Sequence, residues 1–215
     1  MNVQDLILYR DALMLVLNKP SGVPVHKGSG KLIPLDVHFD SLRFGLPHKP
    51  ELAHRLDKDT SGCLVLGRHA QALKRLGLLF EQQKVEKIYH AIVQGCPEQE
   101  EGIIDLPLGP QSSRRDQWWM KVDPEQGKPA ITHYKVLETR DPYSYLELSP
   151  RTGRTHQLRV HCQAIGCPIV GDRIYGRAEE ASFLHLHAYR VVIPLYPKKD
   201  PVTVVAPLPP YMKVR

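Results

Sequence analysis

The chain has few cysteines and no long apolar segment, and these two absences exclude several classes of protein. It contains four cysteines in 215 residues, with no Cys-x-x-Cys pair. This usage excludes a disulfide scaffold and a zinc ribbon. No apolar run approaches the roughly 20 residues of a membrane-spanning helix, and the N-terminus lacks the basic start and apolar core of a signal peptide. We therefore expect a soluble protein of the cytoplasm.

Motifs that bind nucleotides or metals are also missing. Residues 28–31, Gly-Ser-Gly-Lys, do not have the spacing of a phosphate-binding P-loop. His185 and His187 are expected on the same side of a strand, but no carboxylate or thiolate stands at a useful spacing for a shared metal ion. We expect neither a metal nor another cofactor.

Length and charge narrow the class of protein further. A chain of 215 residues, 42% of them hydrophobic, suits one globular domain over residues 1–215 that could consist of two lobes. Lys and Arg number 29 against 23 Asp and Glu, which gives a net charge of +6. A basic balance suits a polyanionic partner such as nucleic acid, although many soluble proteins are mildly basic.

Residues 53–66 combine charged groups, a polar turn and an apolar run. Asp57 stands near Arg55, and residues 59–62, Asp-Thr-Ser-Gly, favour a turn. Residues 63–66, Cys-Leu-Val-Leu, are typical of a buried strand. A carboxylate on a loop at the end of a buried strand suits catalysis. From the residues alone, the pattern favours a turn-forming Asp or half of a surface ion pair.

A second polar cluster begins a predicted helix near residue 155. Thr155 can cap the helix, Leu158, Cys162 and Ile165 form its apolar stripe, and Gly166 ends it. His156, Arg159 and Gln163 are expected on the opposite face. A cation in the first turn is unfavourable for the helix dipole, so we expect Arg159 to have an acidic partner.

The other patterns predict a chain rich in strands. A helix is expected over residues 69–83, with its apolar stripe in the core, and a short helix over residues 35–42. Strands are expected at residues 13–17, 63–66, 87–95, 102–108, 131–138, 143–149 and 202–206.

These motifs together resemble one family. His54-Arg55-Leu56-Asp57 followed by Thr60-Ser61-Gly62 resembles the HRLD-x-x-TSG motif of the RluA-type pseudouridine synthases. The segments at residues 18–22 (NKPSG), 87–89 (KIY), 127–134 (GKPAITHY), 152–159 (TGRTHQLR) and 171–176 (GDRIYG) are also similar to that family. The resemblance extends from about residue 6 to residue 206.

The resemblance implies a fold and an activity. The fold is α+β, with a long mixed, mostly antiparallel sheet in two lobes and flanking helices, and without an N-terminal RNA-binding domain of the S4 type. The activity is the isomerisation of uridine to pseudouridine in structured RNA, in hairpin loops of ribosomal RNA, transfer RNA or both. The reaction uses base flipping and an Asp carboxylate, and it needs no cofactor. We expect the enzyme to act as a monomer.

The resemblance also implies roles for individual residues. Asp57 is the catalytic carboxylate, and Arg159 pairs with it. Tyr89 stacks on the target base, with its hydroxyl near the site of proton loss. Arg55 fills the space left by the flipped base, although a contact with phosphate is the alternative. A set of further residues is expected to bind RNA: His54, Arg154 and His156.

Residues 112–121 interleave basic and aromatic side chains, the mixture that holds RNA by phosphate contact and base stacking. Arg114, Arg115 and Trp118 are therefore candidate RNA contacts. An exposed hairpin whose tryptophans cover the edge of the core is an equally good interpretation. Residues 18–22 are read as a turn without chemistry, and residues 171–176 as a structural loop.

Three rival functions are considered, of which the third is a metal-dependent hydrolase built on His185 and His187. The other two use the motifs described above. A non-catalytic RNA-binding or RNA-folding protein would use the same basic surface. A glycosidase-like hydrolase would also act near a glycosidic carbon, but such enzymes need two carboxylates. The motifs pair Asp57 with cations instead, and Asp59 is expected to serve the turn.

Overall fold

The structure is a computed structural model that describes residues 2–27, 32–112, 119–176 and 181–212. The chain forms two compact units. The first unit comprises Met1–Lys87 and His187–Pro209, and the second comprises Ile88–Leu186 and Pro210–Arg215. Asp57 belongs to the first unit, whereas Tyr89 and Arg159 belong to the second.

The regular elements follow in chain order. The first part of the chain contains a 3-10 helix Val3–Leu6, β1 Ile7–Arg10, β2 Met14–Lys19, a 3-10 helix Leu35–Leu42, β3 Glu51–Leu52, β4 Ser61–Gly67 and α1 Ala70–Glu81. The remainder contains β5 Glu86–Gln94, β6 Glu101–Asp105, β7 Leu108–Pro110, β8 Met120–Val122, β9 Ile131–Arg140, β10 Tyr143–Pro150, α2 Gln157–Ala164, β11 Leu186–Ile193, β12 Val202–Val205 and a 3-10 helix Pro210–Met212.

In the first unit, β4 is the strand around which the sheet is built. All seven of its residues are buried. It pairs antiparallel with β2 and with β3, and parallel with β11. Gly62 has a φ of +105°, and a Cβ at this position would lie 2.3 Å from the carbonyl oxygen of Ala188. Only glycine therefore allows β11 to approach the start of β4 this closely.

In the second unit, β5, β10, β9 and β6 follow one another as antiparallel neighbours. The helix α2 contributes Leu158 and Cys162 to a core that includes Ala91, Leu146 and Leu148 from the sheet. Ile165 packs against the same core. The predicted apolar stripe of this helix is therefore confirmed. In the same unit, β7 and β8 form a separate antiparallel pair.

The α+β fold with mostly antiparallel strands is confirmed. The predicted helices and most predicted strands are present with small changes in their bounds, but the strand predicted over residues 102–108 is divided into β6, which ends at Asp105, and β7, which begins at Leu108. The short helix predicted over residues 35–42 is present as a 3-10 helix. Among the helices in the described part of the chain, none is long and apolar enough to cross a membrane.

The predicted cap of α2 is wrong by one residue. His156, rather than Thr155, occupies the cap position, with a left-handed φ of +54°. The side chain of Gln157 explains the difference, because its Oε1 accepts hydrogen bonds from the Thr152 hydroxyl at 2.7 Å and from the Arg154 N–H at 3.0 Å. These bonds close the loop before the helix without a capping hydroxyl.

Candidate active site

Asp57 lies on the loop of residues 53–60, which leads from β3 into β4 and is called the Asp57 loop. Asp57 is half-buried, and Arg55 is exposed. The N–H of Thr60 donates to the carbonyl of Asp57 at 3.2 Å, which closes the predicted turn. The loop therefore presents a partly covered carboxylate with a cation nearby at the surface.

A fully buried lysine, Lys19, anchors the Asp57 loop. The ammonium of Lys19, at the end of β2, donates to the carbonyls of Pro20, Val23 and Lys58, each at 2.8 Å. Lys58 directly follows Asp57, and the hydroxyl of Ser21 donates to the Asp59 carbonyl at 2.6 Å. The turn at residues 18–22 is thus an anchor for the Asp57 loop, a role that the sequence analysis missed.

The protonation state of Lys19 follows from burial and from its partners. Burial lowers the pKa of Lys19 to about 7, although the nearby charges of Asp59 and Asp57 act in the opposite direction. Three carbonyl acceptors match the three N–H donors of an ammonium, whereas a neutral amine has only two. We therefore treat Lys19 as charged when the loop is in this conformation.

His54 joins the Asp57 loop to the rest of the first unit. Its Nε2 accepts a hydrogen bond from the N–H of Val65 at 3.0 Å, and its ring stacks on Phe80 of α1 with 4.5 Å between centroids. Burial, with a smaller effect from the charge of Lys87, lowers the pKa of His54 to about 3. A neutral His54 therefore fixes the loop, and its contact with RNA stays a prediction.

Tyr89 lies in β5 of the second unit, opposite Leu148 of β10. Its side chain is partly buried and packs against the core to which α2 contributes. The strand environment of this tyrosine is as predicted. Its stacking on a target base stays a prediction.

Arg159 has a buried acidic partner in the second unit. Its Nε and Nη2 donate to the two carboxylate oxygens of Asp172, each at 2.7 Å, and its guanidinium lies over the ring of Tyr175 at 5.1 Å. Burial alone would raise the pKa of Asp172, but hydrogen bonds and charge from Arg159 hold that pKa below its ordinary value. The acidic partner predicted for Arg159 from the helix dipole is therefore present as Asp172. The pairing of Arg159 with Asp57 stays a prediction.

The other two residues of this cluster have different surroundings. His156 is buried, and its Nδ1 lies 2.7 Å from the hydroxyl of Tyr175. Arg154 is exposed, and its Nε donates to the carbonyl of Pro129 at 3.0 Å. Of the three residues predicted on one face, His156 and Arg159 are buried, and Gln163 is exposed. Tyr175 contacts both buried side chains. Contacts of Arg154 and His156 with RNA stay predictions.

A polar network fixes the loop that precedes Arg159. The Nε2 of Gln157 donates to the carbonyl of Ile131 and to the hydroxyl of Thr132, both at 3.0 Å. The Nδ1 of His161 lies 2.9 Å from the same hydroxyl. This network links α2 to the start of β9. Gln157 therefore has a structural role, because its side chain forms hydrogen bonds with Ile131 and Thr132 of that strand.

The predicted RNA-contacting segment is described only at its two ends. Arg114, Arg115 and Trp118 lie outside the described residues. Trp119 is exposed, and the N–H of Met120 donates to the hydroxyl of Tyr175 at 2.8 Å. The β7–β8 hairpin is therefore bonded to the same tyrosine that lies beneath Arg159.

Comparison with known proteins decides the family. Residues 13–164, more than half of the chain, match the family model described as RNA pseudouridylate synthase. The chain belongs to the RNA pseudouridylate synthase family. As a pseudouridine synthase of the RluA type, it is an isomerase that acts on RNA.

Its relatives in this family include bacterial and human proteins. An uncharacterised RNA pseudouridine synthase of Zymomonas mobilis is 44% identical over 94% of this chain and 93% of its own length. The ribosomal large subunit pseudouridine synthase D of Borreliella burgdorferi is 36% identical over 89% of this chain, which spans 62% of that protein. The solved structure of human RNA pseudouridylate synthase domain containing 4 has a TM-score of 0.80 at 29% identity, covering 98% of this chain and 91% of the human one.

Proposed function

We propose that this synthase converts uridine to pseudouridine in hairpin loops of ribosomal or transfer RNA, with Asp57 as its catalytic carboxylate. The observation that carries the proposal is the Asp57 loop, in which a half-buried carboxylate lies next to a backbone carbonyl, that of Lys58, which a fully buried ammonium binds. A net charge of +6 supports an RNA partner. The name of the Borreliella burgdorferi relative supports ribosomal RNA as one substrate.

The reaction defines what the site must supply. The C1′–N1 bond of the uridine breaks, the base turns, and C1′ joins C5. The C5 proton leaves, and N1 takes up a proton in place of its bond to C1′. The target base must leave its stack to reach the protein. No electrons or groups are exchanged with another molecule, so the reaction needs no cofactor.

The proposal gives each of four residues a role in the reaction. Asp57, ionised, attacks C1′, adds to the base or removes a proton from the sugar. Arg159 pairs with Asp57 and keeps it charged, because a nearby cation lowers the pKa of a carboxylate. Tyr89 stacks on the base and takes part in proton transfer from C5. Arg55 fills the gap in the RNA stack or binds phosphate.

The test is release of tritium from RNA labelled at C5 of uridine. The substrates are bulk ribosomal RNA and bulk transfer RNA, and the proteins are the wild type, Asp57→Asn and the control Asp59→Asn. Asp59 lies in the same loop, and its carboxylate is paired with Lys58 at 3.5 Å. We expect release by the wild type and the control, no release by Asp57→Asn, and no free uracil.

Other outcomes would contradict the proposal in separate ways. Equal release by Asp57→Asn and wild type would remove Asp57 from catalysis. Free uracil as the product would indicate a hydrolase. RNA binding without release in either pool would exclude both proposed substrates. Light scattering during turnover tests the proposed monomer.

A further inference from the structure

A buried hydrogen bond joins a serine of β4 to a histidine of β11 within the first unit. The Oγ of Ser61, the first residue of β4, lies 2.8 Å from the Nδ1 of His187. The two residues are opposite each other where the strands pair in parallel. His187 is 1% exposed and Ser61 is 3% exposed. The bond therefore lies in a region of low dielectric constant, where it is electrostatically stronger than in water.

The direction of this bond follows from the other ring nitrogen. The Nε2 of His187 lies 3.3 Å from the carbonyl oxygen of Ala206, which can only accept a hydrogen bond. Burial lowers the pKa of His187, so the ring is neutral and carries one N–H. That N–H is on Nε2, because it faces an acceptor. The lone pair of Nδ1 therefore accepts the hydroxyl proton of Ser61.

This geometry does not suit chemistry by the pair itself. A serine beside a histidine is the arrangement of a nucleophile and its base, but in the usual triad a carboxylate orients the histidine. Here a carbonyl takes that place, and Ser61 is buried away from any substrate. Metal binding needs an available ring nitrogen, whereas both nitrogens of His187 have partners in the protein. The role that fits the pair is to fix the backbone around it.

The backbone at Ser61 is the end of the Asp57 loop. The N–H of the preceding residue, Thr60, donates to the carbonyl of Asp57 at 3.2 Å, so the turn closes one residue before Ser61. On the other side of Ser61, a Cβ on Gly62 would lie 2.3 Å from the carbonyl oxygen of Ala188 in β11. A displacement of Ser61 from β11 would therefore move the turn and, with it, the carboxylate of Asp57.

The bond to His187 differs in kind from the other supports of this loop. Lys19 and Ser21 bind backbone carbonyls of the loop, which a residue of any type would offer. His187 binds a side-chain hydroxyl instead, so its support depends on the residue type at position 61. One substitution on either side of the bond is thus enough to break it.

We propose that His187 is a positioning residue for pseudouridine formation, which holds the Asp57 loop in place through its hydrogen bond to Ser61. The inference rests on the proposed function, in which Asp57 is the catalytic carboxylate. His187 transfers no proton in the reaction. Its contribution is the orientation of Asp57, so breaking the bond should lower turnover more than it weakens RNA binding.

The experiment breaks one hydrogen bond at a time in the full chain. Ser61→Ala removes the donor. His187→Asn keeps an acceptor near the position of Nδ1, whereas His187→Gln keeps a donor near the position of Nε2 and loses the acceptor for Ser61. The matched control is Ser144→Ala, because Ser144 is also buried and its hydroxyl donates to the carbonyl of Gly95 at 2.8 Å in the second unit.

The kcat and KM of each variant come from release of tritium from RNA labelled at C5 of uridine, and its urea midpoint reports folding. We expect Ser61→Ala and His187→Gln to lower kcat by at least about tenfold, because a displacement of about 1 Å can cost about 100-fold. KM should stay within about threefold of wild type, since no RNA contact is removed. Combining the two substitutions should slow turnover by no more than about threefold beyond Ser61→Ala, because they break the same bond.

The remaining variants separate positioning from stability. His187→Asn should keep kcat within about threefold of wild type, because its amide oxygen can still accept the hydroxyl proton of Ser61. Ser144→Ala should lower the urea midpoint by about as much as Ser61→Ala, because each loses one buried serine hydrogen bond. Its kcat should equal that of the wild type.

Four results would overturn the inference. One is an unchanged kcat per folded molecule in Ser61→Ala, with only the urea midpoint lowered. The second is an equal loss of kcat in His187→Asn and His187→Gln, and the third is a combined variant whose losses multiply. The fourth is a loss of kcat in Ser144→Ala equal to that in Ser61→Ala, because turnover would then follow stability.

Two provisions cover variants that do not fold. If His187→Gln does not fold, the comparison of Ser61→Ala with Ser144→Ala decides, since each removes a single oxygen atom. If Ser61→Ala does not fold, Ser61→Cys replaces it, because a thiol is a weaker donor than a hydroxyl. An unchanged kcat in Ser61→Cys would then overturn the inference.

The proposed function fails in a different way. A wild type without release from either RNA pool, or equal release by Asp57→Asn and wild type, would overturn that function and this inference together. Loss of release in Asp57→Asn with a wild-type kcat in Ser61→Ala would overturn the inference alone.

Discussion

The two units hold their proposed functional charges by opposite means. In the first, Asp57 lies on a loop whose backbone is bound by the buried cation Lys19. In the second, the cation Arg159 is bound through its own side chain by the buried anion Asp172. A buried charge of opposite sign thus supports each group, but one acts on the main chain and the other on the functional side chain.

This difference determines what can replace each support. The partners of Lys19 are three carbonyl oxygens, which no substitution can remove. The partner of Arg159 is a side chain, which a second substitution can neutralise. We therefore expect that a second substitution can restore the stability lost when Arg159 is replaced. No single further substitution should restore the stability lost when Lys19 is replaced.

The largest expected loss of stability comes from Arg159→Met. It leaves the carboxylate of Asp172 buried without its cation, which costs about 4 kcal/mol of the free energy of unfolding. Adding Asp172→Asn should recover most of that loss, because the amide oxygen can still accept the N–H groups of Ile174 and Tyr175. Urea unfolding measures both effects. A double variant as unstable as Arg159→Met would break the comparison.

Lys19→Met should cost about 3 kcal/mol or more of the free energy of unfolding, because several buried carbonyls lose their donor. Hydrogen exchange should show the loss concentrated in residues 53–60. The matched control is Lys58→Met, whose side chain is exposed and paired with Asp59. Equal stability of the two variants would mean that Lys19 does not anchor the Asp57 loop.

Acid should destabilise the fold through its buried histidines. Burial lowers the pKa of His54 to about 3 and also lowers that of His161 and His187. The unfolded chain protonates near pH 6.5, so below that pH it binds more protons than the folded chain, and stability falls as the pH falls. Each histidine contributes at most about 1.4 kcal/mol per pH unit.

His54→Gln separates one of these contributions. The glutamine side chain can still accept the N–H of Val65, and it takes up no proton. The loss of stability between pH 7 and pH 5, measured by urea unfolding, should therefore be smaller in the variant than in the wild type. The control is His48→Gln at an exposed position. A slope equal to that of the wild type would contradict the assignment of a neutral, buried His54.

Tyr175→Phe should have the smallest effect, about 1 kcal/mol of the free energy of unfolding. It keeps the ring under Arg159 and removes the hydroxyl that accepts the N–H of Met120 and faces His156. Thermal unfolding measures this change. A loss of several kcal/mol would make the hydroxyl, rather than Asp172, the main support in this part of the second unit.

Local patterns allowed most of the fold to be predicted. The apolar run of β4 and the stripe of α2 depend on neighbours in sequence, and both are present where expected. The short helix Leu35–Leu42 was predicted without its 3-10 geometry, and the cap at His156 was missed. Each of these details depends on hydrogen bonds of particular local groups. Residue types alone do not distinguish these alternatives.

The supports of the site were harder to predict than its motifs. The helix dipole predicted an acidic partner for Arg159. The sequence could not identify this partner as Asp172, because the contact forms only when the loop at residues 171–176 folds back over α2. Lys19 was missed altogether, because its partners are backbone carbonyls and every residue carries one. A lysine at the end of a buried strand, in a segment of Pro and Gly, was the available signal.

Because Lys19 is buried, the chemical reactivity of its amine reports how often the Asp57 loop opens. An acylating reagent can reach its ammonium only after the loop and the turn at residues 18–22 separate. Once the loop has opened, the amine has the ordinary pKa of an exposed lysine, about 10.4, so it reacts through the small fraction that has lost its proton. The rate at which Lys19 is acylated, measured by peptide mass spectrometry, would thus report the frequency of loop opening. RNA that binds the loop should lower this rate.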